Sequence, residues 1–139
     1  MTFSIVGFCE ETKMSGVAIT TSSICVGSRC PWVRANVGAV ATQDITDPSI
    51  GNEILDELEK GSSSQDALDK VITNRKYIEF RQVAVVDMNG HTASYTGKNI
   101  LGKSLGTKLS KVYRLNQSSA SSAADYLATL GASISKVDT

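Results

Sequence analysis

Two short amphipathic helices, placed between blocks of β-rich segments, constrain the fold of this chain most strongly. The first helix starts at Asp47-Pro48, where an N-cap residue precedes a proline at the first helical position, and Gly61 is placed to end it. The second follows Ser63, which forms a capping-box pattern with Asp66. The predicted helices are Pro48–Lys60 and Ser64–Thr73.

Each predicted helix carries its apolar residues on a single face. Because the two helices are consecutive in the chain, we expect both to pack on the same face of one sheet. The residues predicted to be buried are Ile54, Leu55, Leu58, Leu68, Val71 and Ile72. The residues predicted to stay in water are Glu53, Glu57 and Lys70.

Six short segments on either side of the helices are rich in branched and aromatic residues and are bounded by turn residues. The dipeptide Asn89-Gly90 between the last two is a strong hairpin signal, and the small residues of the fourth segment indicate close packing beneath another layer. Strands, then helices, then strands favour an α+β fold in a single domain over 1–139. The predicted strands are Phe3–Phe8, Gly16–Thr21, Val33–Asn36, Gly38–Gln43, Gln82–Asp87 and His91–Thr96.

The charge balance argues against a nucleic-acid partner. Lysine and arginine number fourteen, as do aspartate and glutamate, so there is no net positive field to hold a phosphate backbone. The first residues show no basic cluster and no cleavage pattern, and no apolar run is long enough to span a membrane. We therefore expect a cytoplasmic protein without a membrane partner.

Neither the cysteines nor the histidine form a recognisable site. Cys9, Cys25 and Cys30 contain no C-x-x-C pair, so we expect them to be small buried hydrophobic residues rather than disulfide or zinc ligands. The lone His91 excludes a multi-histidine metal centre and is expected to be an exposed strand residue. No metal and no cofactor are predicted. Any general base is then a carboxylate, a lysine or the α-amine of the chain.

Four stretches together resemble the family catalogued as domain of unknown function 1028. The similarity runs in order from residue 1 to about Leu101, and its most specific part is the proline-tryptophan segment that leads into a glycine- and alanine-rich strand. The four stretches are Met1-Thr2-Phe3-Ser4-Ile5-Val6, Gly16-Val17-Ala18 with Val26-Gly27, Cys30-Pro31-Trp32-Val33-Arg34-Ala35 with Val37-Gly38-Ala39-Val40-Ala41-Thr42-Gln43, and Tyr77 to Asp87.

This family is grouped with the N-terminal-nucleophile hydrolases, whose layers run helices, sheet, sheet, helices. The resemblance therefore implies an αββα sandwich. Residues 102–139 depart from the family pattern, so we expect the sandwich to be incomplete at the C-terminus. Apolar residues from Ala120 to Leu130 repeat at helical spacing, which predicts that this tail is partly helical.

The resemblance also implies a catalytic chemistry. The hydroxyl of Thr2 would attack a carbonyl after Met1 is removed, and its free α-amine would accept the proton. Arg34 would supply a nearby positive charge. The backbone at Gln43 would stabilise an oxyanion, with Thr42 and Asp44 binding substrate. Each has a plainer alternative: a strand residue for Thr2, a surface salt bridge for Arg34, and strand termination for the other three.

Two classes of function follow from the sequence. One is an amide-bond hydrolase that acts through Thr2 on a peptide-like or acylated small molecule. The other is a non-catalytic binding or assembly module on the same scaffold, or an inactive truncated relative. A partly completed pair of sheets would leave apolar surface or strand edges exposed, so a homodimer is a further expectation.

Overall fold

The computed structural model describes residues 2–101, which form a mixed α+β fold with two sheets and two helices. The α+β class is the one predicted, whereas the helical tail expected between Ala120 and Leu130 lies outside the described residues. Short 3₁₀ turns at Val26–Ser28 and Ile78–Phe80 precede the third and fifth strands. The elements are β1 (Thr2–Cys9), β2 (Met14–Thr21), β3 (Pro31–Arg34), β4 (Gly38–Asp44), α1 (Pro48–Glu59), α2 (Ser64–Ile72), β5 (Arg81–Asp87) and β6 (Thr92–Thr96).

The six strands lie where the sequence predicts them, with two shifts. β3 occupies Pro31–Arg34 instead of Val33–Asn36, because Asn36 takes a left-handed conformation with φ of 60° in the turn before β4. His91 is not a strand residue, contrary to the prediction. It ends the turn before β6, where its carbonyl accepts a hydrogen bond of 3.0 Å from the Asp87 N–H.

The ends of both helices follow from local hydrogen bonds and confirm the capping signals. The Asp47 carboxylate accepts a hydrogen bond of 3.1 Å from the Ser49 N–H at the start of α1. The Ser63 hydroxyl accepts one of 3.1 Å from the Asp66 N–H at the start of α2. Gly61 follows α1 with φ of 93°, a conformation that glycine adopts without steric cost. No helix within residues 2–101 is long and apolar enough to cross a membrane.

The strands form two antiparallel sheets. β1 and β2 form a two-stranded hairpin whose register pairs Thr2 with Thr21. β3, β4, β5 and β6 form a four-stranded sheet in that order. β4 pairs with β3 on one side and with β5 on the other, so it is an inner strand of this sheet.

The two sheets and the helices make three layers. α1 and α2 both cover the face of the four-stranded sheet that carries Val40 and Val85, as expected from their single apolar faces. The hairpin covers the opposite face, with β1 against β4 and β5 and β2 against β3 and β4. Ala39 and Ala41 alternate onto that face and are fully buried, which confirms close packing over the small-residue strand. The described residues thus contain helices, sheet and sheet, and no second helical layer.

Burial on the helices follows the predicted phase in part. Ile54, Leu55, Leu58 and Leu68 are buried as predicted, and Lys70 is exposed. Val71 and Ile72 are only partly buried, at the edge of the apolar cluster. Glu53 and Glu57 are not fully in water either. They are partly covered by cationic side chains rather than by the sheet, since Arg75 pairs with Glu53, and Lys60 and Lys70 pair with Glu57.

Trp32 and Gly51 set the distance between β3 and α1. A Cβ atom built on Gly51 would lie 2.2 Å from Cδ1 and Cγ of the Trp32 indole, so only glycine fits at this position of the helix. The indole Nε1–H donates a hydrogen bond of 3.4 Å to the Thr42 hydroxyl. Close contact between an aromatic ring and the helix backbone therefore fixes α1 on the sheet.

Arg75 joins the segment after α2 to the start of α1. Its Nη2 donates to the Asp47 carboxylate at 2.9 Å, its Nη1 donates to the Glu53 carboxylate at 2.6 Å, and it also bonds the Ser49 hydroxyl. Burial alone would raise the pKa of Asp47, but hydrogen bonds from Ser49 and Arg75 outweigh burial and lower it. The hydrogen bond from Arg75 is the largest influence on the pKa of Glu53 and lowers it.

Replacing Gly51 by alanine is expected to destabilise the protein by about 1–3 kcal/mol, because the added methyl group collides with the Trp32 indole. The sign of this change in stability is informative, since glycine to alanine in a helix with open space around it stabilises by up to about 1 kcal/mol. Gly7→Ala is the matched control, because a Cβ at Gly7 meets no atom within 4 Å. Urea unfolding of both variants measures the difference, and a Gly51→Ala protein as stable as the control would contradict this packing.

The Asp47 and Glu53 carboxylates are expected to make stability depend on pH. Because folding lowers the pKa of both, their contribution is fully present above the ordinary carboxyl range near 4 and is lost as the pH falls through the lowered values. Unfolding free energies at pH 6 and pH 3 should differ less in Arg75→Gln than in the unaltered protein. Lys76→Gln removes a neighbouring charge without touching these carboxylates and should keep the full difference.

Candidate functional site

A cavity of about 200 Å³ opens where the start of β1, the end of β2 and the end of β4 meet. At about 30 Å³ for each water molecule, it has room for roughly seven water-sized groups, which suits a small molecule or the end of a peptide. Threonine, serine, glutamine, aspartate and arginine residues share its wall with a few apolar residues. The lining residues are Thr2, Thr21, Ser23, Val26, Arg29, Cys30, Gln43, Asp44, Ile45 and Thr46.

Thr2 reaches the cavity because of the register of the hairpin. β1 pairs with β2 so that Thr2 lies opposite Thr21, and their hydroxyl oxygens are 2.9 Å apart. Either hydroxyl can donate in this hydrogen bond. Alternate residues of β1 face the four-stranded sheet, which places Thr2 and Ser4 on the same inner side.

Gln43 links both sheets beside the cavity. The Ser4 hydroxyl donates a hydrogen bond of 3.1 Å to the Gln43 Oε1, and the Gln43 Nε2 donates to the Gln82 Oε1. A primary amide nitrogen has two hydrogens. Gln43 is therefore held from two sides while its Nε2 retains a second N–H.

Asp44 ends β4 in an unusual backbone conformation. Its φ of 73° lies in the left-handed region, which non-glycine residues adopt mainly at turns and functional sites. One carboxylate oxygen, Oδ2, accepts a hydrogen bond of 2.7 Å from the Leu101 N–H. The carboxylate is thus anchored by one oxygen at the cavity wall.

Arg29 enters the cavity from the irregular segment between β2 and β3. The 3₁₀ turn at Val26–Ser28 ends with the Arg29 N–H donating to the Val26 carbonyl at 3.1 Å. The guanidinium Nη2 donates a longer hydrogen bond of 3.4 Å to the Ile24 carbonyl. Burial raises the pKa of the adjacent Cys30 thiol, and the positive charge of Arg29 acts against that increase.

Three of the five residues predicted for the site lie together. Thr2, Gln43 and Asp44 all line the cavity, whereas Arg34 and Thr42 do not. Their predicted roles in chemistry or binding stay predictions. What the structure gives is their proximity.

Arg34 lies in an ion-pair cluster away from the cavity. Its Nη1 is 2.8 Å from a carboxylate oxygen of Asp56 and 2.8 Å from one of Glu59, both on α1. This is the surface salt bridge considered as the alternative for Arg34. Among residues 2–101, the cation that lines the cavity is Arg29 instead, because the loop before β3 lies at the cavity while the end of β3 lies under α1.

Thr42 is buried behind the cavity wall. The residue is 2% exposed, its hydroxyl donates to the Arg29 carbonyl at 2.9 Å, and its N–H donates to the Cys30 carbonyl at 2.9 Å. A side chain so enclosed does not touch a molecule in the cavity. Thr42 instead holds the backbone that carries Arg29.

Four polar residues that line the cavity were not predicted from the sequence: Thr21, Ser23, Arg29 and Thr46. Thr21 could have been predicted from the pairing of β1 with β2, since Thr21 lies opposite Thr2 in the hairpin. Arg29 lies in a non-repetitive loop, where residue spacing carries no signal. Its position depends on hydrogen bonds to Val26 and Thr42 that only the folded chain forms.

The prediction for the cysteines is wrong for two of the three. Cys9 and Cys25 are exposed, and only Cys30 is buried. Cys25 takes a left-handed conformation with φ of 57° as the chain leaves the hairpin, and Cys9 ends β1 on its outward side. Within residues 2–101, histidine, cysteine and carboxylate side chains form no group of three or more suited to a metal ion.

Ser64, Asp87 and His91 lie close together without forming a catalytic triad. The Ser64 hydroxyl is within 3.0 Å of the Asp87 Oδ2 and 2.9 Å of the His91 carbonyl, not of the His91 ring. A triad needs the serine hydroxyl to donate to the imidazole. Because Ser64 is also 1% exposed, we assign this cluster a structural role, which is to join α2 to the β5–β6 turn.

Residues 2–116 match the family described as "Family of unknown function (DUF1028)". The match therefore extends past Leu101, where the sequence motifs placed its end. No curated protein matches the chain.

Among solved structures, the chain is similar to the crystal structure of protein SPO2555 from Silicibacter pomeroyi, which is also described as DUF1028. The two are 34% identical with a TM-score of 0.69, over 71% of this chain and 44% of the other. The chain thus spans less than half the length of this neighbour.

The three thiols are expected to react with iodoacetamide at different rates. Cys25 and Cys9 should be alkylated readily in the folded protein because they are exposed, whereas Cys30 should be protected until unfolding because it is buried and its pKa is raised. Mass spectrometry of the digested protein, with and without urea, measures each site. Equal labelling of Cys30 and Cys25 without urea would contradict this arrangement.

Proposed function

Since the chain belongs to the DUF1028 family, whose function is unknown, we propose that it is an amide-bond hydrolase with Thr2 as the nucleophile. The observation that carries this proposal is the polar cavity beside Thr2, which brings Gln43, Asp44 and Arg29 to the same place. Pockets with a few convergent polar groups are the usual location of active sites.

The proposed reaction uses the N-terminus of the chain as its own base. Removal of Met1 frees the α-amine of Thr2, whose ordinary pKa of about 8 allows it to accept a proton near neutral pH. The Thr2 hydroxyl oxygen bonds the acyl carbon of the substrate while the amine takes the hydroxyl proton. As the C–N bond breaks, that proton passes to the leaving nitrogen, and water then hydrolyses the resulting ester to a carboxylic acid and free Thr2.

The neighbours of Thr2 support each step of this scheme. The hydrogen bond to Thr21 restricts the orientation of the Thr2 hydroxyl. The second Nε2–H of Gln43 is suited to donate to the oxyanion that develops on the carbonyl oxygen. The charge of Arg29 disfavours protonation of a nearby amine, which keeps the base available. In this scheme Arg29 has the electrostatic role that the sequence analysis gave to Arg34.

The layer arrangement supports an N-terminal-nucleophile hydrolase as the relative of this fold. Helices, a sheet and a second sheet follow in the order that the resemblance implies. In such a sandwich the nucleophile belongs to the first strand, which here begins with Thr2. We include an αββα sandwich in the proposal on this basis.

A binding or assembly module remains the second candidate, and one surface favours it. The outward face of the hairpin carries Phe3 and Ile5 near the start of β1 and Met14 at the start of β2, which are 56%, 38% and 63% exposed. Exposed apolar sheet faces are suited to association. A second copy of the chain is the partner in this alternative, and the homodimer stays a prediction.

Changing Thr2 to alanine is expected to abolish hydrolysis of acyl-p-nitroanilides, because the attacking hydroxyl is lost. Thr2→Ser should retain part of the activity, since it keeps a hydroxyl beside the amine. Thr20→Ala is the matched control, as Thr20 lies on the outward face of the same hairpin and should leave activity unchanged. All three variants should fold like the unaltered protein by circular dichroism.

The N-terminal mass of the purified protein tests the same mechanism independently. Active protein should begin with Thr2, because Met1 would block the amine that serves as the base. Full activity in Thr2→Ala, or activity in protein that retains Met1, would refute the proposal and favour the binding module.

A further inference from the structure

We propose that Arg29 makes the cavity beside Thr2 a binding site for a carboxylate, so that the substrate is an N-acyl amino acid or a peptide with a free carboxyl end. This inference rests on the proposed function for the reaction at Thr2. The binding preference that it assigns to Arg29 does not require turnover. It is therefore measurable in a protein that cannot react.

Arg29 differs from the other arginines that the structure describes. Arg34, Arg75 and Arg81 each lie within 4 Å of a carboxylate oxygen. Arg29 forms no ion pair within residues 2–101. Its guanidinium has five N–H donors, and one of them bonds the Ile24 carbonyl. An arginine that lines a cavity with free donors is suited to a planar, anionic group such as a carboxylate.

The backbone of Arg29 is held from two directions. Its N–H bonds the Val26 carbonyl at 3.1 Å, and its carbonyl accepts the buried Thr42 hydroxyl at 2.9 Å. Thr42 is in turn bonded to the Trp32 indole, which packs on α1. Arg29 thus projects from a fixed wall, which lowers the entropy cost of binding. In this arrangement Thr42 is a positioning residue for Arg29.

Asp44 narrows the class of ligand further. It lines the same cavity, and no ion pair joins it to Arg29 among the described residues. One of its oxygens accepts the Leu101 N–H, which leaves the other for a donor on the ligand. An N-acyl amino acid carries its amide nitrogen and its carboxylate on the same α-carbon, so it offers the carboxylate to Arg29 and the amide N–H to Asp44. Its acyl carbon is then the atom that Thr2 attacks.

Paired probes on the full-length Thr2→Ala protein test the inference without any reaction. The probes are N-acetylglycine, which carries the carboxylate, and N-acetylglycinamide, which is neutral and otherwise closely similar. NMR titration should show N-acetylglycine binding at least about tenfold more tightly, because charge-assisted hydrogen bonds are stronger than neutral ones. Sodium chloride at high concentration should weaken the binding of N-acetylglycine and leave that of the neutral probe unchanged.

Adding Arg29→Gln to this protein should remove the preference, so that both probes bind with equal affinity. Arg34→Gln is the matched control, since it removes the same charge at a residue already paired with α1 and should keep the preference. Equal affinities in the Thr2→Ala protein, no saturable binding of either probe, or a preference that survives Arg29→Gln would overturn the inference. Failure of the unaltered protein to hydrolyse N-acetylglycine, despite binding of N-acetylglycine to Thr2→Ala, would instead refute the proposed function and leave the binding preference standing.

Discussion

The packing of β4 between two layers is the constraint on which the rest of the structure depends. Val40 faces the helices, while Ala39 and Ala41 face the hairpin, and all three are buried. Alanine on the hairpin side lets a second sheet approach closely, and a larger side chain there would hold the hairpin away. This approach brings the start of β1 beside the end of β4. Without it, Thr2 and Gln43 would not share a cavity.

The sequence alone was sufficient to predict features that depend on residues close together in the chain. The ends of α1 and α2 follow from caps such as Asp47 and Ser63, and these signals act within a few residues. The end of β3 was misplaced because a left-handed residue, Asn36, is not distinguishable by propensity from the last residue of a strand. The partners of Arg34 were not predictable from the sequence for a different reason. Its partners Asp56 and Glu59 are more than twenty residues away, so spacing along the chain does not reveal the pair.

The arginines of the described residues differ in whether a carboxylate neutralises their charge. The guanidinium of Arg75 donates its hydrogen bonds to Asp47 and Glu53, which fixes the segment after α2 on the start of α1. Few of its N–H donors are then available to a ligand. Arg29 shares a cavity with Asp44 without being neutralised by it, so the two charges remain separate. Separated charges of opposite sign in one cavity favour a ligand with both an anionic group and a donor.

The position of the cavity in the chain matters because the sequence departs from the family pattern towards its C-terminal end. Every described residue that lines the cavity lies between Thr2 and Thr46, within the range matched by the family. Later residues in the described part of the chain hold three of these lining residues: Gln82 bonds the Gln43 side chain, Arg81 bonds the Ile45 carbonyl, and the Leu101 N–H bonds the Asp44 carboxylate. Changes beyond residue 116 therefore leave the lining residues themselves intact.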